Sequence, residues 1–383
     1  MMNSTIETFI ALLRSAVTCT NEEIDLADIN YEALFSLAKY HDLAHIVYAE
    51  LNKRIEHWEG DIYRKFRQQY DMAVYRCIKR DLAIEQLQVA LENARIPFVL
   101  LKGTYLMKLY PETWMRTSSD VDILVKKEEH QKAVDTLQKQ GFIKIAETAH
   151  DYSFSSPDKY HVELHYTLIE DDKLPNASKV LEKVWDNTNH IENHSEEMLN
   201  DEMFYFYHLA HMAKHFKDGG CGIRSFIDLW ILNHNIPCTV QKREEYLIEG
   251  GLLAFARQSE SLSEKWFSKV SGVVESPGFE DYVISGGVYG TAEHNVIVRK
   301  KQVDNRLVFY LRRVFLPYSG MKHAYPMLRK CPILLPLFWV VRWLKILKPS
   351  YRKKAVNELR IERTTDEKVG NSIESLMKEL EIW

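Results

Sequence analysis

Asp120 and Asp122 stand one residue apart in Ser119–Val125, SDVDILV. Side chains alternate along an extended strand, so these two carboxylates share a face while Val121 and Ile123 point into a core. Adjacent like charges repel and give a strand nothing structural. A divalent cation between them removes that cost, and Mg²⁺ favours one or two carboxylates together with phosphate oxygens. The bland alternative is an exposed strand with two acids at its edge. The apolar ILV that follows directly argues instead for the end of a buried strand. Glu163 supplies a third acid. In HVELHY, His161, Glu163 and His165 share one face, and Val162, Leu164 and Tyr166 share the other. A His-Glu-His face is costly on a central strand unless something occupies it, and ordinary on a wetted edge strand. Three acids from two adjacent strands could hold two metal ions about 3.5–4 Å apart, as in-line nucleotidyl or phosphoryl transfer requires.

Other residues could assist that chemistry. Lys102-Gly103-Thr104 follows the apolar run IPFVLL, where a strand should turn into a helix. Glycine lets a phosphate approach the backbone, helix-terminal N–H groups attract it, and Thr104 and Lys102 add a hydroxyl and a point charge. A glycine at a strand-to-helix turn is also common without any ligand. Further on, His208, His211 and His215 fall on one face of a helix expected over about 201–216. They could line a cleft, bind zinc as part of a metal-dependent hydrolase, or simply pack. Arg224 and Asp228 lie at i, i+4 in GIRSFIDLWIL, either as an intrahelical ion pair or as a part-buried pair holding that helix toward the cleft.

The elements that must position these residues follow from periodicity. Residues 1–95 carry apolar residues at three- and four-residue spacing in IETFIALLRSAV, YEALFSLAKYHDLAHIVYAEL and a long run from Asp61, and read as helix. Residues 96–172 read strand, helix, strand, helix, strand, strand, strand. The first helix runs to about Tyr110, and the second spans Lys127–Gln140 with Gly141 as its cap. FIKIAE and YSFSS are the next two strands. From 173 to 383 the pattern is again mostly helical. The expected fold is α+β, a small mixed-sheet core between N- and C-terminal all-α regions.

The run LLKGTYLMKLYPETWMRTSSDVDILV followed by VELHY resembles the nucleotidyltransferase superfamily. It is most similar to the branch of uncharacterised bacterial nucleotidyltransferases with Lys-Gly, then Tyr, then Arg, then a D-x-D strand. The resemblance implies that Gly103 and Thr104 match the Gly-Ser phosphate turn, with Thr in place of Ser. Asp120 and Asp122 match the metal-binding acids, and Glu163 the third acid. Arg116 matches the branch's arginine, placed to neutralise charge on the transferred group. The segment between the turn and Asp120 is longer than in the commonest members. HLAHMAKHF…GIRSFIDL resembles the helical region of that branch and implies no chemistry of its own. The function implied is Mg²⁺- or Mn²⁺-dependent transfer of a nucleoside monophosphate from an NTP to an acceptor hydroxyl. A catalytically silent nucleotide-binding or regulatory module with the same fold is the alternative.

Composition narrows the partners. The net charge is −4, so no global basic field invites nucleic acid. Cys19, Cys77, Cys221, Cys238 and Cys331 form no CxxC pair, which fits a reducing compartment. The start has no signal-peptide pattern and no stretch reaches the roughly 18 apolar residues of a membrane span, so a cytoplasmic location is expected. The aromatic, basic and Pro-broken stretch at 332–348 is a candidate for peripheral membrane contact, but helices packed on the core are favoured.

Overall fold

The helical spacing of residues 1–95 resolves into α1 (Met2–Thr18), α2 (Tyr31–Tyr40), α3 (Ala44–Arg54) and α4 (Asp61–Asn93) in the structure, which is a computed structural model. It describes residues 2–148, 150–168, 173–269, 276, 278–288, 290–301, 311, 314–325, 327–345, 360 and 367–383. The apolar run from Tyr31 is two helices rather than one. Asp42 adopts φ +55°, which breaks the helical path between α2 and α3. Asn30 starts α2 by accepting the Ala33 N–H at 3.0 Å.

The strands form one mixed sheet. They are β1 (Phe98–Leu100), β2 (Asp120–Val125), β3 (Ile143–Glu147), β4 (Asp151–Ser155), β5 (His161–His165), β6 (Thr188–His190) and β7 (Glu196–Leu199), in the order β3-β4-β5-β2-β1-β7-β6. The first five fall where alternation and turn residues place them. β6 and β7 lie in a stretch expected to be mostly helical. They are short and carry almost no apolar alternation, so periodicity gives no sign of them. β7 pairs in parallel with β1. The Glu92 carboxylate near the end of α4 accepts the N–H groups of Ser195 and Glu196 at 2.8 and 3.1 Å and seats the entry to that strand.

Each face of the sheet has its own covering. Val121, Ile123, Val125, Val162 and Leu164 pack with Ile84 and Leu87 of α4 and with α6 (His130–Lys139). The opposite face contributes Val99 and Leu124 to a larger core shared by α1–α3 and the later helices. Those include α7 (Pro175–Leu181), α8 (Asp201–Lys217), α9 (Ile223–Asn235), α10 (Val240–Glu249) and α11 (Leu253–Phe267). Beyond them, α12 (Phe279–Gly286) and α13 (Ala292–Lys301) follow, and a final helix, Glu367–Glu379, returns to pack beside α13. The 332–348 stretch contains a helix, Leu335–Lys345, with Leu337 and Leu344 exposed; residues 346–348 lie outside the described residues. Among the described residues no helix is long and apolar enough to cross a membrane.

Candidate active site

Topology gathers the chemistry-bearing residues at one end of the sheet. β1 runs antiparallel to β2, and β2 runs parallel to β5. The end of β1 therefore meets the starts of β2 and β5. Lys102 and Gly103 leave β1 there and open α5 (Gly103–Leu106), and Leu101 N–H donates to the Asp122 carbonyl at 3.0 Å. Asp120 stands opposite His161, and Asp122 opposite Glu163. β5 is an interior strand between β4 and β2, so its His-Glu-His face is not a wetted edge.

The charges form a compact network around Asp122. Its Oδ1 accepts from Lys102 Nζ at 3.0 Å and from His165 Nε2 at 2.9 Å. His165 Nε2 also lies 3.5 Å from Glu163 Oε2, and His161 Nε2 lies 3.4 Å from Glu163 Oε1. Burial alone would raise the Asp122 pKa. The Lys102 ammonium and the His165 hydrogen bond outweigh it and hold the carboxyl well below the usual range. The His165 hydrogen bond likewise lowers Glu163 against the effect of burial. Asp120 behaves differently. Burial, then the charge of Asp122, pushes its pKa up, and the Ser118 hydroxyl donates to its Oδ1 at 2.9 Å.

Asp122, Glu163 and His165 offer ligand atoms within 4.8 Å of one another, which fits a divalent cation. Asp120 is outside that tight group although it shares the strand face. The two carboxylate oxygens are donors that suit Mg²⁺ or Mn²⁺, and the imidazole is the softer donor of the three. Lys102 supplies the balancing charge on Asp122 and does so from a rare backbone conformation, φ +41° and ψ −116°. Such geometry costs on the order of 1–3 kcal/mol in a non-glycine residue and collects at functional sites. Gly103 and Thr104 are both buried in the turn. A methyl group on Gly103 would lie 3.4 Å from Arg116 Nη1, so the guanidinium stands just beside the turn.

Arg116 is neither a surface loop residue nor free to move. Its Nε donates to both oxygens of Asp228, at 2.8 and 3.0 Å, and Tyr110 donates to the same carboxylate at 2.6 Å. The loop that carries it is pinned by buried Arg80 of α4, which donates to the Arg116 carbonyl at 2.7 Å, and by His45 of α3, 3.0 Å from the Met115 carbonyl. The intrahelical Arg224–Asp228 ion pair is therefore not formed. Asp228 faces Arg116, and Arg224 Nη1 instead lies 3.2 Å from the Thr117 carbonyl and 3.5 Å from Asp42 Oδ2. Arg224 still reaches the cleft, with Lys102, Arg116, His208, His211 and His215 around the same small cavity of about 60 Å³. His208 is tied to the Ser225 carbonyl at 3.2 Å, while His211 and His215 meet at 3.1 Å between their Nε2 atoms. Among the described residues these histidines do not join a group of three metal ligands.

A second opening, about 800 Å³, lies on the β5 side of the acids. Ser118, Ser119, Tyr160 and His161 form its floor, and Tyr75, Arg76 and Lys79 of α4 form one wall. Periodicity marks α4 only as an amphipathic helix and assigns this wall no role. The YRCIK run inside it, basic and aromatic at helical spacing, is the one signal in the sequence that points to it. No curated protein and no solved structure matches the chain. A family model described as uncharacterised nucleotidyltransferase matches residues 27–268, more than half of the sequence, from just before α2 to the end of α11, and the chain belongs to that family.

Proposed function

We propose that this protein transfers a nucleoside monophosphate from an NTP to an acceptor hydroxyl with the help of Mg²⁺ or Mn²⁺, and that it belongs to the branch with a Lys-Gly turn before the D-x-D strand. The observation that carries the reading is the meeting of a Lys-Gly turn, two acids on β2 and a third on β5 at one end of the sheet. Asp122 and Glu163, with Asp120 beside them, hold the cation, and His165 fixes the orientation of both neighbouring carboxylates. The bound cation would draw charge from the transferred phosphate and its leaving oxygen. Lys102, Gly103 and Thr104 bind the triphosphate, and Arg116 presents its outer guanidinium edge to it while Asp228 keeps it in place. The acceptor oxygen forms its bond to the α-phosphorus as the bond to the β-phosphate breaks and pyrophosphate departs. Glu163, ionised and linked to that opening through His161 at 3.4 Å, takes the acceptor's proton. Of the three regions, 1–95, 96–172 and 173–383, the first would wall the opening through α4, the second would carry the acids, and the third would complete the sheet through β6 and β7.

The test is a melt with and without nucleotide. Mg²⁺ or Mn²⁺ with NTP should raise the melting temperature more than either alone, because only the folded state binds them. Labelled NTP should then release pyrophosphate and leave label on an acceptor. The absence of any shift at several millimolar NTP and metal would remove the site assignment. A shift without label transfer would favour a silent nucleotide-binding module.

A further inference from the structure

We infer that the opening on the β5 side is the acceptor subsite and that it takes a small hydroxyl compound bearing an anionic group, a phosphate or carboxylate. This rests on the nucleotidyl-transfer reading above and extends it to the substrate class.

Strand order places the two substrates. In the sequence of neighbours β5-β2-β1, the Lys102–Gly103 turn belongs to β1 and Glu163 to β5. A triphosphate held at the turn puts its α-phosphate against the β2 acids, so the attacking oxygen must arrive from the β5 side. The opening there, about 800 Å³, is of the size that holds small molecules. Its floor is fixed to the acids. The Tyr160 hydroxyl donates to the Ser118 carbonyl at 2.7 Å, and Ser118 in turn donates to Asp120.

Charge then selects the occupant. Arg76, Lys79 and Lys159 line this opening, and among the described residues Asp42 is its one carboxylate. Asp42 is already shared by Arg76 at 3.8 Å and Arg224 at 3.5 Å, and it accepts from Thr117 at 3.2 Å. Lys79 and Lys159 have no carboxylate partner among the described residues; Lys79 lies over the Tyr75 ring, 5.4 Å from its centre. A cationic acceptor, such as a polyamine or amino sugar, would meet these two ammonium groups unscreened. An anionic acceptor would satisfy both, and each charge-assisted contact is worth roughly tenfold or more in affinity. Tyr40, Tyr75 and Tyr160, which line the opening, suit a ring behind that anion. A net charge of −4 over the chain argues against a long polyanion as the occupant.

The test uses the full-length protein saturated with Mg²⁺ and a non-hydrolysable ATP analogue. Glucose 6-phosphate, glucose and glucosamine are titrated by calorimetry as matched anionic, neutral and cationic hydroxyl probes. Glucose 6-phosphate should bind at least tenfold tighter than the other two. The double variant Lys79→Ala/Lys159→Ala should abolish that preference while leaving Mg²⁺–nucleotide binding unchanged. Equal binding of the three probes, or a preference that survives in the double variant, would overturn the inference. Loss of Mg²⁺–nucleotide binding in the double variant would also overturn it, by making the opening the nucleotide's own site, and would leave the transferase reading standing. Tighter binding of a short oligoribonucleotide than of glucose 6-phosphate, lost in the same variant, would replace the small acceptor with an RNA end. If the parent protein binds no Mg²⁺–nucleotide at all, the transferase reading fails and the inference falls with it.

Discussion

Replacing the two acids of β2 by asparagine, one at a time, should move stability in different directions. Asp120 is disfavoured as an anion in the folded protein, first by burial and then by the neighbouring charge of Asp122. Asn keeps its shape and can still accept from the Ser118 hydroxyl, which now donates at 2.9 Å. The Asp120→Asn midpoint should therefore equal or exceed that of the parent. Asp122 is the reverse case. Its side chain is 6% exposed and its partner Lys102 22%. Neutralising it leaves the ammonium without its carboxylate, and breaking such a pair costs about 3–5 kcal/mol when both charges are buried. The partial exposure of Lys102 sets the expectation near about 3 kcal/mol. For a chain of this size that is a fall of about 4 °C, at about 1.2 °C per kcal/mol. The measurement is a thermal and denaturant melt of each variant without metal at neutral pH, repeated with Mg²⁺ and ATP. Both variants should lose the nucleotide-dependent gain. Lys102→Met combined with Asp122→Asn should recover most of the lost midpoint, because removing both partners leaves neither charge of the pair uncompensated. An equal, large drop for both single variants would make Asp120 a structural acid. An unchanged midpoint for Asp122→Asn would mean the Lys102 contact contributes nothing, and the account of the site's electrostatics would fail.

Three further perturbations follow from the same network. Stability should fall as pH drops from about 7 to 5. Burial lowers the pKa of His41 and His215 to about 4 and also depresses His208 and His211, so the unfolded chain takes up protons near its ordinary 6.5 while the folded one does not. Each such proton is worth about 1.4 kcal/mol per pH unit, so a His41→Gln variant should show a shallower slope in denaturant melts over that window. His165, whose pKa is raised, works the other way, and the lowered Asp122 adds a loss only below about pH 4. Asp228→Asn should destabilise by about 3–5 kcal/mol, since it strands buried Arg116; Arg224→Ala should cost clearly less, and equal losses in paired melts would contradict the observed pairing. Gly290→Ala should lower the midpoint by at least about 2 kcal/mol equivalent, because the added methyl would lie 2.3 Å from the Gly219 carbonyl carbon at a backbone φ of +77°. A neutral result there would mean that Gly290 does not lie as close to the Gly219 backbone as the structure has it.

The strand that carries the acids is legible in the sequence because its signal is local. Two acids at a two-residue period with apolar residues between them define face, burial and chemistry together, and the apolar IPFVLL run before a glycine turn marks the neighbouring strand. His165 reads from the sequence only as part of the His-Glu-His face of its strand, a candidate lining of the cleft. Its place between Asp122 and Glu163 depends on the parallel pairing of β2 with β5, which no single-strand pattern encodes. The Arg224–Asp228 spacing invites an ion pair that the tertiary structure overrides. A buried carboxylate with Arg116 and Tyr110 within 3 Å of it has stronger partners than an i, i+4 neighbour. β6 and β7 escape detection because three- and four-residue strands bearing mostly polar side chains leave no period to read.

The family match from 27 to 268 takes in far more than the strands that carry the acids. Its reach has a physical reason in the contacts of Arg116 and Lys102. Arg80 of α4 and His45 of α3 hold the loop before β2, Asp228 of α9 holds the arginine that emerges from it, and Tyr207 of α8 lies against Lys102. Removing any of these helices would leave a buried charge or carbonyl without its partner, a cost of about 1–3 kcal/mol each on top of the lost apolar packing. The helices before and after the sheet should therefore fold together with it. A fragment limited to 96–172 would expose Arg116 and the β1 edge that β7 covers, and it should fail to give a cooperative melt, whereas one spanning 27–268 should retain the Asp122 network. A cooperative transition in the short piece, with Mg²⁺–nucleotide stabilisation intact, would show that the helices serve the acceptor alone.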